Sequence, residues 1–444
     1  MQLYDKDLLS VQEVRELVEK AKAAQEELSQ KSQAEVDAIV KSIAYAGVRN
    51  AKRLAKLAHE ETGFGIEADK VIKNIFGSRD VYEHIKDMKT IGELGYDEEK
   101  KVRTIAVPVG VIAGLIPSTN PTSTAFYKSE ISIKAGNAIV FSPHPNARNC
   151  ILEAVKVIRQ AIAEAGGNEN LVSCITIPTI QATDNLMKHP DVALILATGG
   201  SAMVRAAYSS GTPAIGVGPG NGPAYIEKTA DLPLAVKRIM DSKTFDNGTI
   251  CASEQSVVCD KDMEDAVRAE MEKQGAYFLT DEQIAKLGKF ILRANGTMNP
   301  MIVGKSAQVI ADLAGIDIPA GTKVLVAKET GIGHGHPYSN EKLAPILAFY
   351  TADDYKEICR LVQDILHYEG AGHTFSMHTK DPEMVNYFAM RVPASRIIVD
   401  TPSALGGIGP DTWLRSHWRK CYLRKCRTDE SAEQTSCGRR TSGA

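Results

Sequence analysis

Apolar residues recur at helical spacing over the first 60 residues, and this pattern predicts two long N-terminal helices. The apolar face of the first helix comprises Leu9, Val11, Val14, Leu17, Val18 and Ala21. The second helix begins after Ser32, because Ser32-Gln33-Ala34-Glu35 is a capping box whose serine and glutamate satisfy free backbone N–H groups. We expect that helix to end near Gly63, since glycine commonly terminates helices.

The apolar period changes after Lys101. Residues 102–107 alternate between apolar and polar, as in a strand, and residues 109–116 are nearly all apolar, as in a buried strand. Further strands are predicted at 138–141, 171–177, 192–196 and 213–217, with helices between them at 147–165, 181–189 and 201–209. This alternation predicts a parallel sheet with helices on both faces, followed by a second α/β segment from about 225 to 409.

Composition limits the class of protein. Hydrophobic residues make up 43% of the chain and charged residues 24%, with a net charge of −3, so neither nucleic acid nor a membrane is an expected partner. No apolar run is long enough to span a membrane, and the N-terminus lacks the pattern of a signal peptide. The eight cysteines show no disulfide-like spacing, which fits reduced thiols and a cytoplasmic location.

One cysteine has an unusual setting. Cys251 follows the turn Phe245-Asp246-Asn247-Gly248 and precedes the polar residues Ser253, Glu254 and Gln255. Such a thiol can lie at the bottom of a cleft, although free cysteine is equally often a small buried residue. The other cysteines before residue 410 lie in apolar contexts and are interpreted as buried: Cys150, Cys174, Cys259 and Cys359.

A second polar group that fits the same chemistry lies about 130 residues upstream. There an apolar strand runs into Pro117-Ser118-Thr119-Asn120-Pro121. A thiolate that attacks a carbonyl needs a hydrogen-bond donor for the oxyanion that forms. Cys251 and Asn120 would supply that pair, although an asparagine before proline is also an ordinary turn residue.

Both segments resemble the CoA-acylating branch of the aldehyde dehydrogenase superfamily, and in particular the aldehyde half of bifunctional aldehyde-alcohol dehydrogenases. The resemblance extends from about residue 10 to Gly409. It implies an α/β aldehyde dehydrogenase-like fold of two Rossmann-like domains: an NAD-binding domain at 1–224, with an oligomerisation hairpin at about 88–108, and a catalytic domain at 225–409. It also implies a homodimer or higher homo-oligomer that oxidises a short-chain aldehyde, through a thioester on Cys251, to its acyl-CoA.

No Gly-x-Gly-x-x-Gly follows a strand, so the dinucleotide site rests on other loops. Three loops follow predicted strand ends, where ligands bind in open α/β sheets, although tight turns would look the same. The resemblance implies that these loops, with Gly218 and Glu341, hold NAD: Ile116, Pro117, Thr119, Ser142, Pro143, His144, Pro145, Gly199, Gly200 and Ser201. Ser142 stands where most family members carry a lysine, so NADP is not excluded.

The glycine loop at 216–223 bears on the choice of acyl acceptor. Hydrolytic aldehyde dehydrogenases carry a water-activating glutamate in this loop, and the matching residue here is Val217. Valine cannot accept a proton, which favours coenzyme A as acceptor over water. The alternatives are that these glycines serve close backbone packing, or that Glu254 replaces the base rather than ordering its loop.

His334 and His336 lack a third ligand at metal spacing, so no metal is expected. His373 is expected near the substrate without a proton-transfer role.

The sequence changes character after Gly409. Residues 410–444 contain both tryptophans and three of the eight cysteines, and their eight Lys/Arg against four Asp/Glu give a charge of +4. We expect this basic tail to be disordered, and a shifted reading frame is the favoured explanation; a zinc site or a nucleic-acid-binding arm are the alternatives. Two alternative functions follow: a hydrolytic enzyme that makes a free acid, and an inactive chain that still binds nucleotide.

Overall fold

The computed structural model describes residues 5–294 and 296–408 and the backbone of residues 421–423. The described residues form two compact units, 5–63 with 70–218 and 64–69 with 219–408 and 421–423. The first unit therefore ends at Gly218, a few residues before the predicted domain boundary at 224. Most of the tail, and with it the predictions of disorder, a frameshift, zinc or nucleic-acid binding, lies outside the described residues.

The N-terminal helices confirm the helical pattern. Helix α1 spans Lys6–Leu28 and helix α2 spans Gln33–Thr62. The capping box is present, with reciprocal bonds between Ser32 and Glu35, and Gly63 ends α2 in the left-handed conformation. The next helices are α3 at Glu67–Ile75, which begins in the segment that belongs to the second unit, a π-helical turn at Phe76–Asp80, and α4 at Val81–Ile85.

A hairpin precedes the first sheet. Strands β1, Gly92–Asp97, and β2, Val102–Ala106, pair antiparallel and expose several apolar side chains. These strands fall within the predicted oligomerisation hairpin at about 88–108. Whether they join two copies of the chain stays a prediction.

The first unit contains a five-stranded parallel sheet in the order β5-β4-β3-β6-β7. Its strands are β3 Val111–Ile116, β4 Ala138–Pro143, β5 Val172–Cys174, β6 Val192–Thr198 and β7 Ala214–Val217. The connecting helices are α5 Pro121–Lys134, α6 Arg148–Glu164, α7 Ile180–Met187 and α8 Ser201–Tyr208. The strict alternation confirms the prediction of a parallel sheet, because parallel neighbours require crossover connections.

The second unit contains an eight-stranded sheet in the order β10-β11-β12-β9-β8-β13-β14-β15, parallel except for the β14–β15 pair. Its strands are β8 Gly222–Ile226, β9 Glu254–Asp260, β10 Ala276–Phe278, β11 Val324–Lys328, β12 Ile346–Ala352, β13 Thr374–His378, β14 Arg396–Val399 and β15 Cys421–Leu423. Its helices are α9 Leu232–Thr244, α10 Glu264–Lys273, α11 Asp281–Ile291, α12 Ala307–Ala314, α13 Tyr355–Tyr368, α14 Pro382–Ala389 and α15 Ser403–Ile408.

Both faces of this second sheet are covered. Successive side chains of a strand point to opposite faces, and along β9 Val258 packs in one apolar cluster while Val257 and Cys259 pack in another. Coverage on both faces is typical of parallel sheets. The segment that connects α9 to β9 contains Cys251, so the thiol lies before the amino end of a buried central strand.

Candidate active site

Cys251 follows a turn in which three consecutive residues have positive φ. The values are 49° at Asp246, 50° at Asn247 and 74° at Gly248. Asparagine and aspartate tolerate this region better than other non-glycine residues, and a Cβ atom on Gly248 would lie only 2.9 Å from the carbonyl oxygen of Ala344. The turn therefore needs glycine at 248, and it presents the half-buried Cys251 thiol.

Side-chain hydrogen bonds hold this turn. Asp246 is completely buried, and its carboxylate accepts the N–H of Ile66 at 2.6 Å and the hydroxyl of Thr249 at 2.7 Å. Its own N–H donates to Asp69 Oδ2 at 2.7 Å. A buried carboxylate needs such donors, so these bonds both stabilise the charge and fix the backbone just before the thiol.

Three functional groups lie around Gly220. Its N–H donates to Glu341 Oε1 at 2.8 Å, and a Cβ atom on it would lie 1.8 Å from the Cys251 carbonyl oxygen and 3.2 Å from His373 Cε1. Burial raises the pKa of Glu341 to about 8, and the neighbouring Cys251 thiolate adds to the rise. Gly220 therefore permits the close backbone packing that was one alternative for the glycine loop. This packing places Cys251, Glu341 and His373 near one another.

The sequence placed His373 near the substrate without a proton-transfer role, and the structure places its ring beside Gly220. Burial lowers the pKa of His373, and the Glu341 carboxylate only partly opposes that shift. The ring is therefore neutral near pH 7. Its Nδ1 lies 2.9 Å from Thr374 Oγ1, and the tautomer in which Nδ1 donates that bond leaves Nε2 able to accept a proton.

The Glu254 carboxyl group is buried and hydrogen-bonded within the second unit. Its side chain is buried at the start of β9, and Oε1 accepts the N–H of Ser403 at 2.9 Å. Burial raises the pKa of Glu254 to about 7. Because the carboxyl group is enclosed and tied to the first residue of α15, these contacts favour the interpretation that Glu254 orders its loop.

The remaining cysteines whose side chains the structure describes are buried, as the sequence predicted. Burial raises the pKa of each thiol above its ordinary value. They are Cys150, Cys174, Cys259 and Cys359. Among the cysteines whose side chains the structure describes, Cys251 alone is partly exposed, which separates a candidate nucleophile from packing residues.

Asn120 is the N-cap residue of α5 in the first unit, directly before Pro121 at the first helical position. Its Oδ1 accepts a hydrogen bond from Lys73 Nζ at 2.7 Å, and its Nδ2 donates to Thr119 Oγ1 at 3.2 Å. Cys251 belongs to the second unit, so the joint role of the two residues stays a prediction.

The predicted nucleotide loops lie at one edge of the first sheet. Strand β3 pairs with both β4 and β6, and all three run parallel, so the segments that follow them emerge side by side. The predicted residues at or after these carboxyl ends, and after β7, are Ile116, Pro117, Thr119, Ser142, Pro143, His144, Pro145, Gly199, Gly200, Ser201 and Gly218. Glu341 lies in the other unit, in the segment before β12.

The residues of this set differ in whether a ligand could reach them. Ser142 is buried in β4, and its hydroxyl pairs with Thr183 at 2.8 Å. Gly200 is exposed at the N-cap of α8 with no capping side chain, and a Cβ atom there would meet nothing within 4 Å. An anion can therefore approach the free N–H groups of α8, as a pyrophosphate requires, whereas the Ser142 hydroxyl is already paired.

The described residues contain neither a metal-binding cluster nor a membrane-spanning helix. No group of three His, Cys, Asp or Glu side chains in them has an arrangement that could hold a metal ion, and His336 instead pairs with Glu329 at 2.9 Å. None of their helices is both long enough and apolar enough to cross a membrane.

The two α/β units, the second of which presents a half-buried thiol on a strained turn, define a class of two-unit α/β proteins. Residues 3–339 match the model of the aldehyde dehydrogenase family, and the chain belongs to that family.

Individual relatives extend the match. The chain is 45% identical over 403 residues to the bifunctional aldehyde-alcohol dehydrogenase AdhE of Escherichia coli strain K12, which covers 90% of this chain and 45% of that protein. The chain thus spans about half the length of that curated relative. A probable aldehyde dehydrogenase from Listeria monocytogenes EGD-e is 64% identical with a TM-score of 0.90, covering 91% of this chain and 89% of that one. Propionaldehyde dehydrogenase from Rhodopseudomonas palustris, solved with bound CoA and an acylated cysteine, is 30% identical with a TM-score of 0.80, covering 89% and 90%.

Proposed function

We propose that this chain oxidises a short-chain aldehyde to its acyl-CoA, with NAD as hydride acceptor and a thioester on Cys251 as intermediate. The observation that carries the proposal is the partly exposed Cys251 thiol, presented by a strained turn beside Glu341 and His373. The relative solved with CoA and an acylated cysteine supports the same chemistry.

In the first step the Cys251 thiolate attacks the aldehyde carbon, and a sulfur–carbon bond forms as the carbonyl electrons move to oxygen. That oxyanion requires donors, and we assign this role to the Asn120 side-chain amide and the Cys251 backbone N–H. The fixed turn at 246–248 holds the sulfur in place, so little reorganisation accompanies the attack.

The nucleotide, when bound, accepts the hydride that leaves the aldehyde carbon and so converts the hemithioacetal into a thioester. We assign its pyrophosphate to the open N-terminus of α8 at Gly199, Gly200 and Ser201. The buried Ser142 supplies no cation for an extra phosphate, which supports NAD over NADP. The open α8 terminus and the parallel strand edge fit such a cofactor.

The acceptor of the acyl group is a thiol rather than water. Val217, at the end of β7, offers no group that could deprotonate water. His373 is neutral near pH 7 and lies near Cys251, so it can accept a proton there. We assign to His373 the proton of the coenzyme A thiol, which leaves as the coenzyme A sulfur attacks the thioester carbon. The Cys251 thiolate then departs and is restored.

Two wider properties belong to the proposal. The apolar side chains exposed on the β1–β2 hairpin support assembly into a homodimer or higher homo-oligomer. A catalytic thiolate needs a reducing compartment, which supports a cytoplasmic location.

The direct test of the proposed function is NADH formation by the purified chain with NAD and propionaldehyde, with and without coenzyme A. We expect sustained turnover only with coenzyme A, because no base activates water at Val217. Sustained turnover without coenzyme A would instead identify a hydrolytic enzyme. Nucleotide binding without turnover of acetaldehyde, propionaldehyde, butyraldehyde or sulfoacetaldehyde would identify an inactive nucleotide-binding chain.

Glu341 and Cys251 should influence each other's ionisation. The thiolate disfavours the carboxylate, as the raised pKa of Glu341 indicates, so the carboxylate must equally disfavour the thiolate. Removing that negative charge in Glu341→Gln should move the pH profile of Cys251 alkylation by iodoacetamide to lower pH, by about half a unit to one unit.

The alkylation should be followed in a Cys259→Ala background, with the modified peptide identified by mass spectrometry. Glu264→Gln is a matched control, because Glu264 lies beyond the opposite end of β9. A profile that stays in place in Glu341→Gln, or that moves equally in Glu264→Gln, would contradict the coupling.

A further inference from the structure

A buried lysine contacts the Asn120 side-chain amide, to which we assign the stabilisation of the oxyanion. Lys73, in α3, is 4% exposed, and its Nζ donates to Asn120 Oδ1 at 2.7 Å. An ammonium group has three donors and no acceptor, so it can face only the oxygen end of an asparagine amide. Lys73 therefore fixes which end of the Asn120 side chain is oxygen and which is nitrogen.

The orientation leaves the nitrogen end available for a ligand. Asn120 Nδ2 carries two hydrogens and donates one of them to Thr119 Oγ1 at 3.2 Å. Among the described residues Nδ2 donates to no other acceptor, so the second hydrogen remains for a substrate oxygen. A reversed amide would present a carbonyl oxygen instead, and a carbonyl oxygen repels an oxyanion.

Lys73 is itself held by the packing of its helix. Its neighbours Lys70 and Asn74 are also buried, and residues three and four apart in a helix share one face. Lys70 Nζ donates to the carbonyl oxygen of Thr119 at 3.4 Å, and Asn74 Oδ1 accepts the Thr122 hydroxyl at 2.7 Å. One face of α3 thus contacts the segment on both sides of Asn120.

We infer that Lys73 is a positioning residue for oxyanion binding: its ammonium group orients the Asn120 amide and polarises it, so that Nδ2–H is a stronger donor to the developing oxyanion. This inference rests on the proposed role of Asn120. A charge-assisted bond to the carbonyl end strengthens donation from the nitrogen end of the same amide.

A double-mutant cycle separates this role from simple stabilisation. The rate constant of the first NADH turnover, without coenzyme A, should be measured in the wild type, Lys73→Met, Asn120→Ala and the double variant. Loss of one oxyanion donor typically costs about a hundredfold or more, so misorienting it in Lys73→Met should cost about tenfold to fiftyfold, with the aldehyde KM little changed. In the Asn120→Ala background, Lys73→Met should have almost no further effect on the rate.

Equal rate losses in both backgrounds would overturn the inference, while leaving the proposed function standing. The control is Lys134→Met, which removes another buried lysine of the same unit that bonds to Asp37 and to the Lys86 carbonyl oxygen. It should lower thermal stability without changing the first-turnover rate. A comparable rate loss in Lys134→Met would also overturn the inference.

A second readout does not depend on activity. The side-chain ¹⁵N resonance of Asn120, assigned by its disappearance in Asn120→Ala, reports the polarisation of the amide. We expect Lys73→Met to shift this resonance and Lys134→Met to leave it in place. An unmoved resonance in folded Lys73→Met would overturn the inference even if the chain turned over no aldehyde, and that inactivity would count against the proposed function alone.

Discussion

Cys251→Ala should abolish aldehyde-dependent NADH formation, whereas Cys259→Ala should retain most of it. The first substitution removes the only partly exposed thiol among the cysteines whose side chains the structure describes, and no covalent intermediate can form without it. The second removes a buried sulfur whose pKa burial raises to about 12, so that it remains an uncharged packing group. We expect a rate loss of at least about a thousandfold for Cys251→Ala, as for the removal of other catalytic nucleophiles.

The comparison has an internal control for folding. Cys259 lies in the core of the second unit, so Cys259→Ala should lower the free energy of unfolding by about 1 kcal/mol, whereas Cys251→Ala should change it little. Activity and stability should therefore change in opposite order between the two variants. An active Cys251→Ala together with an inactive but folded Cys259→Ala would overturn the assignment of the nucleophile.

Local signals account for the features that the sequence predicted well. The capping box at Ser32 and the glycine end at Gly63 involve residues within one helical turn, and both are confirmed. The alternation of strands and helices is also local, since each period needs only a short window. The predicted strand at 171–177 was too long: only Val172–Cys174 pairs, and a 3₁₀ turn at Glu169–Leu171 precedes it.

The contacts that shape the candidate site leave no such signal. Asp246 receives the N–H of Ile66, 180 residues earlier, and Lys73 reaches Asn120, 47 residues later. Neither pair produces a period or a motif, so the importance of Asp246 and Lys73 appears only in the folded chain. Ser142 differs from both: the resemblance placed it among the nucleotide-binding residues, the structure shows its hydroxyl paired with Thr183, and its role stays a prediction.

Gly248→Ala should remove almost all activity, and it should do so by displacing the turn that presents Cys251. A φ of 74° is unfavourable for alanine, because its Cβ atom destabilises this backbone conformation. That Cβ atom would also lie only 2.9 Å from the Ala344 carbonyl oxygen. The position of the Cβ atom is fixed by the backbone of residue 248, and the oxygen belongs to the backbone of Ala344, so no side-chain rotation can relieve the contact. A shift of about 1 Å in a reacting atom can cost about a hundredfold in rate, and we expect at least that loss of first-turnover NADH formation.

Gly166→Ala is the matched control for this prediction. Gly166 has a φ of 76°, close to that of Gly248, but a Cβ atom there would meet nothing within 4 Å. It should show only the backbone penalty of about 1 kcal/mol in the free energy of unfolding and keep its activity. If Gly166→Ala lost as much activity as Gly248→Ala, backbone strain alone would explain the effect. If Gly248→Ala stayed active, the turn would tolerate movement, and the thiol would not depend on a fixed position for its attack.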